Sequence, residues 1–368
     1  MKAVLDLVAG ARPNFMKLAP VQRAVASLGA QEFRIVHTGQ HYDADMNDVF
    51  FQELGIPAPD FHLEVGSGSH GAQTARILER YEAHLMANRP SATVVFGDVN
   101  STVACALAAV KLGVPVVHVE AGLRSFDRTM PEEINRLLTD AVAELLLVSE
   151  SSGIANLKRE GVDDAKVRLV GNVMIDTLLS QLPRARERAA AQRLQLAPRG
   201  YGFVTLHRPS NVDDPAVLGR LVALLHELSR ELPLVFPVHP RTQNAARKLA
   251  LQPGLEPGQE RLLCLGPQPY LETISLVADA AVVLTDSGGL QEECSVLGVP
   301  CLTLRENTER PVTVELGTSR LVGNDVARIR AAFADVRSGR WPQAQAIPYW
   351  DGRAGERVAE ALAGWLSR

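Results

Sequence analysis

Short runs of apolar and β-branched residues recur along this chain, separated by stretches with helical spacing. In the first half they are Ala3–Ala9, Phe33–Thr38, Thr93–Gly97, Pro115–Glu120 and Glu144–Ser149. In the second half they are Gly202–His207, Leu234–His239, Arg261–Gly266, Ala280–Thr285 and Val299–Leu304. The runs are apolar throughout and do not alternate, as strands covered on both faces should be. Their alternation with helices predicts βαβ units and parallel sheets. Between the two sets lie Val170–Thr177, a charged helical stretch at Leu182–Arg193, and the punctuating segment Leu196–Tyr201. The expected fold class is α/β, with two doubly wound parallel-sheet domains facing a central cleft. The expected division is residues 1–172, 173–350 and a C-terminal helical segment, 351–368. In that last helix, Arg353–Ser367, the residues Val358, Ala361, Leu362 and Leu366 form a stripe suited to packing.

Length and composition narrow the picture. A chain of 368 residues exceeds what one core usually serves, so two domains of roughly 150–200 residues are expected. Net charge is 38 − 42 = −4, which argues against a nucleic-acid partner. With 46% hydrophobic residues, disorder is excluded as well. Cys105, Cys264, Cys294 and Cys301 are scattered and form no C-x-x-C pair, so they read as buried, inert thiols. No stretch approaches the ~18 apolar residues of a membrane span, and no targeting segment opens the chain. A cytoplasmic protein without a membrane partner is expected.

In open parallel sheets, ligands bind beyond the carboxyl ends of the strands. After the first run, Gly10 with Arg12 and Lys17 suits an anion, although a solvated loop would read the same. After Thr93–Gly97 comes Asp98, whose carboxyl burial could raise toward acid/base work, with Asn100 or Ser101 as helix cap. Glu120 ends an apolar run, and Arg124 is its expected ion-pair partner. Thr129 and Glu132 have capping-box spacing, which competes with a catalytic role for Glu132. His207 and Arg208 end another run. The segment Thr285-Asp-Ser-Gly-Gly opens a helix whose exposed amides, at Ser287, Gly288 and Gly289, make an anion site. Arg305 and Arg310 follow the next strand as candidate cations, and Glu293 has two oxygens for a pair of ribose hydroxyls. Neither G-x-G-x-x-G nor a Walker P-loop occurs, and no spacing among the nine histidines suits a metal. The opening of a calcium loop at Asp43–Asn47 fails at Asp48 and Leu54.

Taken together, these segments resemble the non-hydrolysing UDP-N-acetylglucosamine 2-epimerase family. The matching segments are GARPNFMKLAPV, HTGQHYD, GDVNST, HVEAGLRS, PEEINR, TLHR, TDSGGLQEE and ENTERP, in the family's order. The resemblance implies a GT-B architecture of two Rossmann-like domains, with the last helix crossing back onto the first. Carried over residue by residue, it implies that Asp98, Glu120 and Glu132 are acid/base carboxylates and His207 an active-site histidine. Arg12, Lys17, Ser287, Gly288, Gly289 and Arg310 match UDP-binding positions, and Glu293 matches the ribose ligand. Gln40, His41, Arg208 and His239 resemble positions associated with a second, regulatory UDP-N-acetylglucosamine acting as allosteric activator. A UDP-sugar substrate, a homodimer, no cofactor and no metal are implied too.

Three departures stand out. Asn14 replaces a frequent Glu, HRPSN replaces HRREN, and Val312 follows ERP where Glu is frequent. The family includes enzymes acting on modified sugars such as 2,3-diacetamido-glucuronate derivatives, so these departures bear on the substrate. The expected reaction converts UDP-N-acetylglucosamine to UDP-N-acetylmannosamine, for surface polysaccharide precursors. The hydrogen at C2 is not adjacent to a carbonyl, so direct abstraction would be very slow. Elimination of UDP across C1–C2 to a 2-acetamidoglucal, then re-addition, avoids that barrier. A GT-B glycosyltransferase, a hydrolytic enzyme releasing N-acetylmannosamine, and a nucleotide-sugar binding protein are the competing readings.

Overall fold

The computed structural model describes residues 2–39, 51, 53–248 and 261–367. The chain divides into two units, Met1–Thr177 with Pro348–Arg368, and Leu178–Ile347.

The first unit is built on seven parallel strands: β1 (Val4–Ala9), β2 (Glu32–His37), β3 (Phe61–His62), β4 (Ala92–Phe96), β5 (Val116–Ala121), β6 (Leu145–Val148) and β7 (Val167–Leu169). Their order is β3-β2-β1-β4-β5-β6-β7, so the winding reverses between β1 and β4. Such a reversal parts the loops beyond the strand ends and leaves room for a ligand. Every residue of β4 and β5 is buried, which is why both read as uninterrupted runs. The exception inside β1 is Asp6, fully buried and bonded by Arg34, His84 and Tyr81.

The second unit repeats the plan with six parallel strands: β8 (Gly202–Thr205), β9 (Leu234–Pro237), β10 (Leu262–Leu265), β11 (Val282–Thr285), β12 (Cys301–Thr303) and β13 (Ser319–Leu321). Their order is β10-β9-β8-β11-β12-β13, with the reversal between β8 and β11. Leu218, Leu225, Phe236, Leu284 and Phe333 fill one face of this sheet, and Phe203, Val235, Leu276 and Val283 the other. Cys105, Cys294 and Cys301 are buried, while Cys264 is only partly covered.

The expected boundary at 172 moves to 177/178, inside helix Val173–Glu187. The cause is local bonding of that helix's first turn to the first unit. Thr177 Oγ1 donates to Met16 O at 2.6 Å, and Asp176 accepts from Ala354 N at 3.0 Å and Gly355 N at 2.7 Å. Asp176 thereby caps the C-terminal helix, Ala354–Leu366, although burial raises its carboxyl to about 6. That helix packs on Arg12–Leu28, and Gly355 permits the approach, because a Cβ there would lie 2.7 Å from Pro20 O. Its buried face is Val358, Ala359 and Leu362; the expected Ala361 and Leu366 are only partly covered.

Among the described residues, no helix is long and apolar enough to cross a membrane.

Candidate active site

The first unit's polar groups gather at the carboxyl ends of β1, β2, β4 and β5. After β1 the chain turns at Gly10 into the helix that begins at Arg12. A Cβ on Gly10 would lie 2.0 Å from Ser101 Oγ and 2.5 Å from Thr38 Oγ1, which are bonded to each other at 2.8 Å. Only glycine fits there. Asn14 Oδ1 accepts from the N–H groups of Gly10 at 3.3 Å and Ala11 at 3.2 Å, while Nδ2 donates to Phe96 O at 2.8 Å. A carboxylate at this position would accept the first two bonds and have no proton for the third. The departure from Glu thus has a local reason in this chain.

Three consecutive carbonyls beyond β4 are each bonded by a side chain from elsewhere. Phe96 O accepts from Asn14 and from Thr102 Oγ1 at 2.8 Å, Gly97 O from His118 Nε2 at 2.8 Å, and Asp98 O from Asn135 Nδ2 at 2.8 Å. The Asp98 carboxylate is partly exposed and pairs with Arg136, at 3.0 Å from both Nε and the NH2 nitrogen. A guanidinium, and not burial, dominates its surroundings. Neither Asn100 nor Ser101 caps the following helix. Its N-cap is Val99, because Asn100 is committed to Gln73 at 2.9 Å and Ser101 to Thr38.

Glu120 sits on a bulge where the β5–β6 register shifts, with φ at +74°. A left-handed backbone at a non-glycine residue costs about 1–3 kcal/mol, and such strain collects at functional sites. The bulge aims Glu120 at Lys17, whose Nζ lies 2.7 Å from Oε2, both side chains being buried. The expected Glu120–Arg124 pair does not form. Arg124 is held instead by Asp140 at 2.7 Å and Glu160 at 2.6 Å. Lys17 Nζ also occupies the space beside Gly97, 2.5 Å from where a Cβ would stand.

Helix Pro131–Val142 begins at Met130 without a side-chain cap, so the Thr129–Glu132 capping box is not present. Thr129 bonds Asp127 instead, at 2.6 Å. Glu132 is half-buried and makes no hydrogen bond or ion pair among the described residues. Its neighbour Glu133 is the anchored carboxylate. It accepts from Ser125 N at 3.0 Å and Phe126 N at 2.9 Å, and it pairs with Arg136.

In the second unit, His207 and Arg208 follow β8 and Asp286 follows β11. Asp286 is buried and accepts from His207 N, Arg208 N and Asn211 Nδ2 at 2.9, 2.8 and 3.1 Å. Its Oδ1 also meets His207 Nδ1 at 2.7 Å. Burial pushes this carboxyl up, but His207 and the backbone donors outweigh it and hold it below the usual range. An orienting carboxylate on Nδ1 leaves Nε2 of His207 for chemistry. The His239 ring stands 5.5 Å from that of His207, and burial, then the neighbouring ring, lowers its pKa.

Helix Gly288–Leu297 follows directly, with Ser287 as N-cap. The Ser287 amide is already bonded to Thr285 Oγ1 at 2.9 Å, so the open amides belong to Gly288 and Gly289. Arg310 pairs with Glu292, a residue of the helix that this turn opens. Arg305 pairs through its NH2 nitrogen with Glu309 at 2.7 Å, and its buried NH1 nitrogen has no partner among the described residues. Glu293 is buried, and one oxygen accepts from Tyr270 OH at 3.0 Å. Burial, partly offset by Tyr270 and reinforced by Glu292, raises Glu293 to about 8.

A sequence model of the family described as UDP-N-acetylglucosamine 2-epimerase matches residues 23–363. A Methanococcus maripaludis protein named UDP-N-acetylglucosamine 2-epimerase is 38% identical over 98% of this chain and 98% of its own. A Pseudomonas aeruginosa protein named UDP-2,3-diacetamido-2,3-dideoxy-D-glucuronate 2-epimerase is 41% identical over 97% of this chain and 98% of its own. The crystal structure of Methanocaldococcus jannaschii UDP-GlcNAc 2-epimerase, in complex with UDP-GlcNAc and UDP, superposes with a TM-score of 0.89 at 39% identity, covering 98% of this chain and 99% of that one.

The chain belongs to the UDP-N-acetylglucosamine 2-epimerase family.

As a member of that family it has the GT-B-like pairing of two parallel-sheet units. Gln40 and His41 lie outside the described residues. Residue-by-residue reading passed over Asp286, Arg136 and Tyr270, each of which holds a residue it did single out, and Glu133, which holds the loop at Ser125 and Phe126. The available signal was position, since Asp286 follows a buried strand as Asp98 does.

Two measurements check these contacts. Lys17→Met removes one partner of the buried Lys17–Glu120 pair and should destabilise the fold by about 3–5 kcal/mol. Adding Glu120→Gln should restore part of that loss in a denaturant double-mutant cycle. For Glu293, a folded-state carboxyl at about 8 holds a proton that the unfolded chain releases near the ordinary carboxylate value. The folded state then binds more protons between those limits, so stability falls as pH rises through the window. Glu293→Gln should remove that slope in pH-dependent chemical denaturation.

Proposed function

We propose that this protein interconverts UDP-N-acetylglucosamine and UDP-N-acetylmannosamine at C2. UDP is eliminated across C1–C2 to a 2-acetamidoglucal and then added back, the proton returning to the opposite face of C2. The observation that carries this reading is the pair of carboxylates Asp98 and Glu120 at the ends of the adjacent strands β4 and β5, each held by its own cation. With Glu132 they carry the proton from C2 and return it. In the second unit the Gly288 and Gly289 amides, with the unpartnered Arg305 donor, take the departing diphosphate. By resemblance Arg12 is assigned to UDP, His207 to proton traffic at the leaving oxygen, and Glu293 to the ribose. Positioned acids and bases contribute roughly 10²–10⁴-fold, and charge stabilisation supplies much of the rest. The product serves as a surface-polysaccharide precursor in this reading. Arg208 and His239, beside His207, are assigned to a second, activating UDP-N-acetylglucosamine.

A second substrate deserves equal trial. The 41% identity to the diacetamido-glucuronate enzyme, together with the Val312 departure, makes a modified UDP-sugar the alternative substrate. A sugar-transferase reading has no use for three carboxylates in the first unit. An NMR time course in D₂O with each UDP-sugar decides among these. The true substrate should yield both epimers with deuterium at C2, and Asp98→Asn should lose at least ~10²-fold in turnover while keeping UDP affinity. Epimers without deuterium, or free N-acetylmannosamine as product, would overturn the mechanism. A sigmoidal dependence of rate on UDP-N-acetylglucosamine is expected if the second molecule activates.

A homodimer completes the proposal. Helix Pro131–Val142 exposes Ile134 and Leu138, flanked by Pro131 and Ala141, while its inner face carries Glu133, Asn135, Arg136, Thr139 and Asp140. An apolar outer face on a helix so placed suits a second copy of the chain. Leu138→Glu should shift the protein to monomer in analytical ultracentrifugation; a wild-type monomer would end this reading.

A further inference from the structure

We infer that His118 is a positioning residue for both Asp98 and Glu120, and that it acts as a buried, doubly protonated ring. The structural premise stands on hydrogen bonding alone; the functional consequence rests on the epimerase reading above. His118 lies in the middle of β5, fully buried. Its Nε2 is 2.8 Å from Gly97 O, and its Nδ1 is 2.6 Å from Asp140 Oδ1. A carbonyl oxygen only accepts, so Nε2 carries a proton. Asp140 is an acceptor as well. Its other oxygen takes the Gly122 N–H at 3.0 Å and an Arg124 nitrogen at 2.7 Å. The Arg124 guanidinium beside it favours the ionised carboxylate. With an ionised carboxylate opposite, Nδ1 must carry a proton too.

Charge accounting agrees. His118 and Arg124 balance Asp140 and Glu160, whereas a neutral ring would leave a net negative charge in the network. The other charged groups nearby engage one another: Lys17, from the first helix, meets Glu120, and Arg136, from the same helix as Asp140, is one cation shared by Asp98 and Glu133.

The two ends of this network fall on the two carboxylates. Gly97 O belongs to the peptide that leads into Asp98. Gly122 N is two residues beyond Glu120, on the far side of the bulge, and a Cβ on Gly122 would lie 2.6 Å from Gly153 O. The ring therefore ties the turn after β4 to the bulge at the end of β5. A neutral ring has a single N–H and would give up one of the two bonds, presenting a lone pair to either Gly97 O or Asp140. A displacement on the order of 1 Å at such a site costs about 10²-fold in rate.

The test uses the full-length protein labelled with nitrogen-15 at histidine, and assigns His118 by loss of its signals in His118→Gln. Both ring nitrogens should carry a proton in the folded protein. Asp140→Asn should return the ring to the neutral form and lower kcat by about 10²-fold, with KM and UDP affinity changed only a few-fold. His118→Gln, which can donate only through one amide nitrogen, should show the same split. A merely structural role would lower stability but not separate kcat from KM. A neutral His118 in the wild type overturns the proposal whether or not the variants fold, and so does a folded Asp140→Asn with unchanged kcat. Absence of any turnover in the wild type would instead strike the epimerase reading, and the nitrogen spectrum would still decide the state of the ring.

Discussion

The carbonyls of Phe96, Gly97 and Asp98 must find donors where β4 ends and the chain turns toward the next helix. A buried carbonyl without a partner costs about 1–3 kcal/mol, so three in succession would unmake the turn. The fold answers with Asn14 and Thr102, His118, and Asn135, drawn from separate elements. Much of the first unit's polar interior follows from that requirement. Asn14 must be an amide, His118 must donate into the turn, and helix Pro131–Val142 must bring Asn135 and Arg136 inward. Asp98 is then fixed at both ends, by its carbonyl and by its carboxylate.

The same economy appears in the second unit with different parts. There, Asp286 supplies the constraint, since a buried carboxylate is tolerated only when its oxygens are bonded. It gathers His207 by both backbone and ring, Arg208 by its backbone and Asn211 by its side chain. Asn211 also donates to Leu304 O at 2.9 Å, which ties the loop after β8 to the end of β12. The HRPSN departure keeps the asparagine this arrangement needs. In each unit a strand-end Asp follows the fourth strand in spatial order, and a neighbouring loop is built around it.

How much of this was legible depended on burial and reach. The long inner strands announced themselves because both faces are covered. β3, β7 and β13 did not, being edge strands of two or three residues whose positions are half exposed. The glycines at 10, 97 and 288 could be placed at turns, but not the atoms that exclude a side chain from them. Ion pairs were the least legible feature. Arg124 was expected on Glu120, yet it takes Asp140 and Glu160. A long guanidinium or ammonium reaches several candidates, and packing between elements distant in sequence chooses among them. The bulge at Glu120 was hidden for a related reason: HVEAG reads as a continuous run, and only the pairing with β6 shows the extra residue.

Helix Pro131–Val142 shows where the ordinary rule of amphipathic helices gives way. Its apolar side chains, read alone, would be turned inward. In this unit the inward positions are already claimed by the strand-end turns, which need charged and amide partners more than they need apolar packing. Glu133 holds the loop at Ser125 and Phe126, Arg136 holds Asp98, and Asp140 holds His118 and Gly122. One face of a single helix thus serves both carboxylate loops, and Ile134 and Leu138 are left on the outside. The apolar surface and the ordered polar interior are two consequences of one rotation of the helix about its axis. A surface left apolar for that reason cannot be made polar by turning the helix without dismantling the turn after β4.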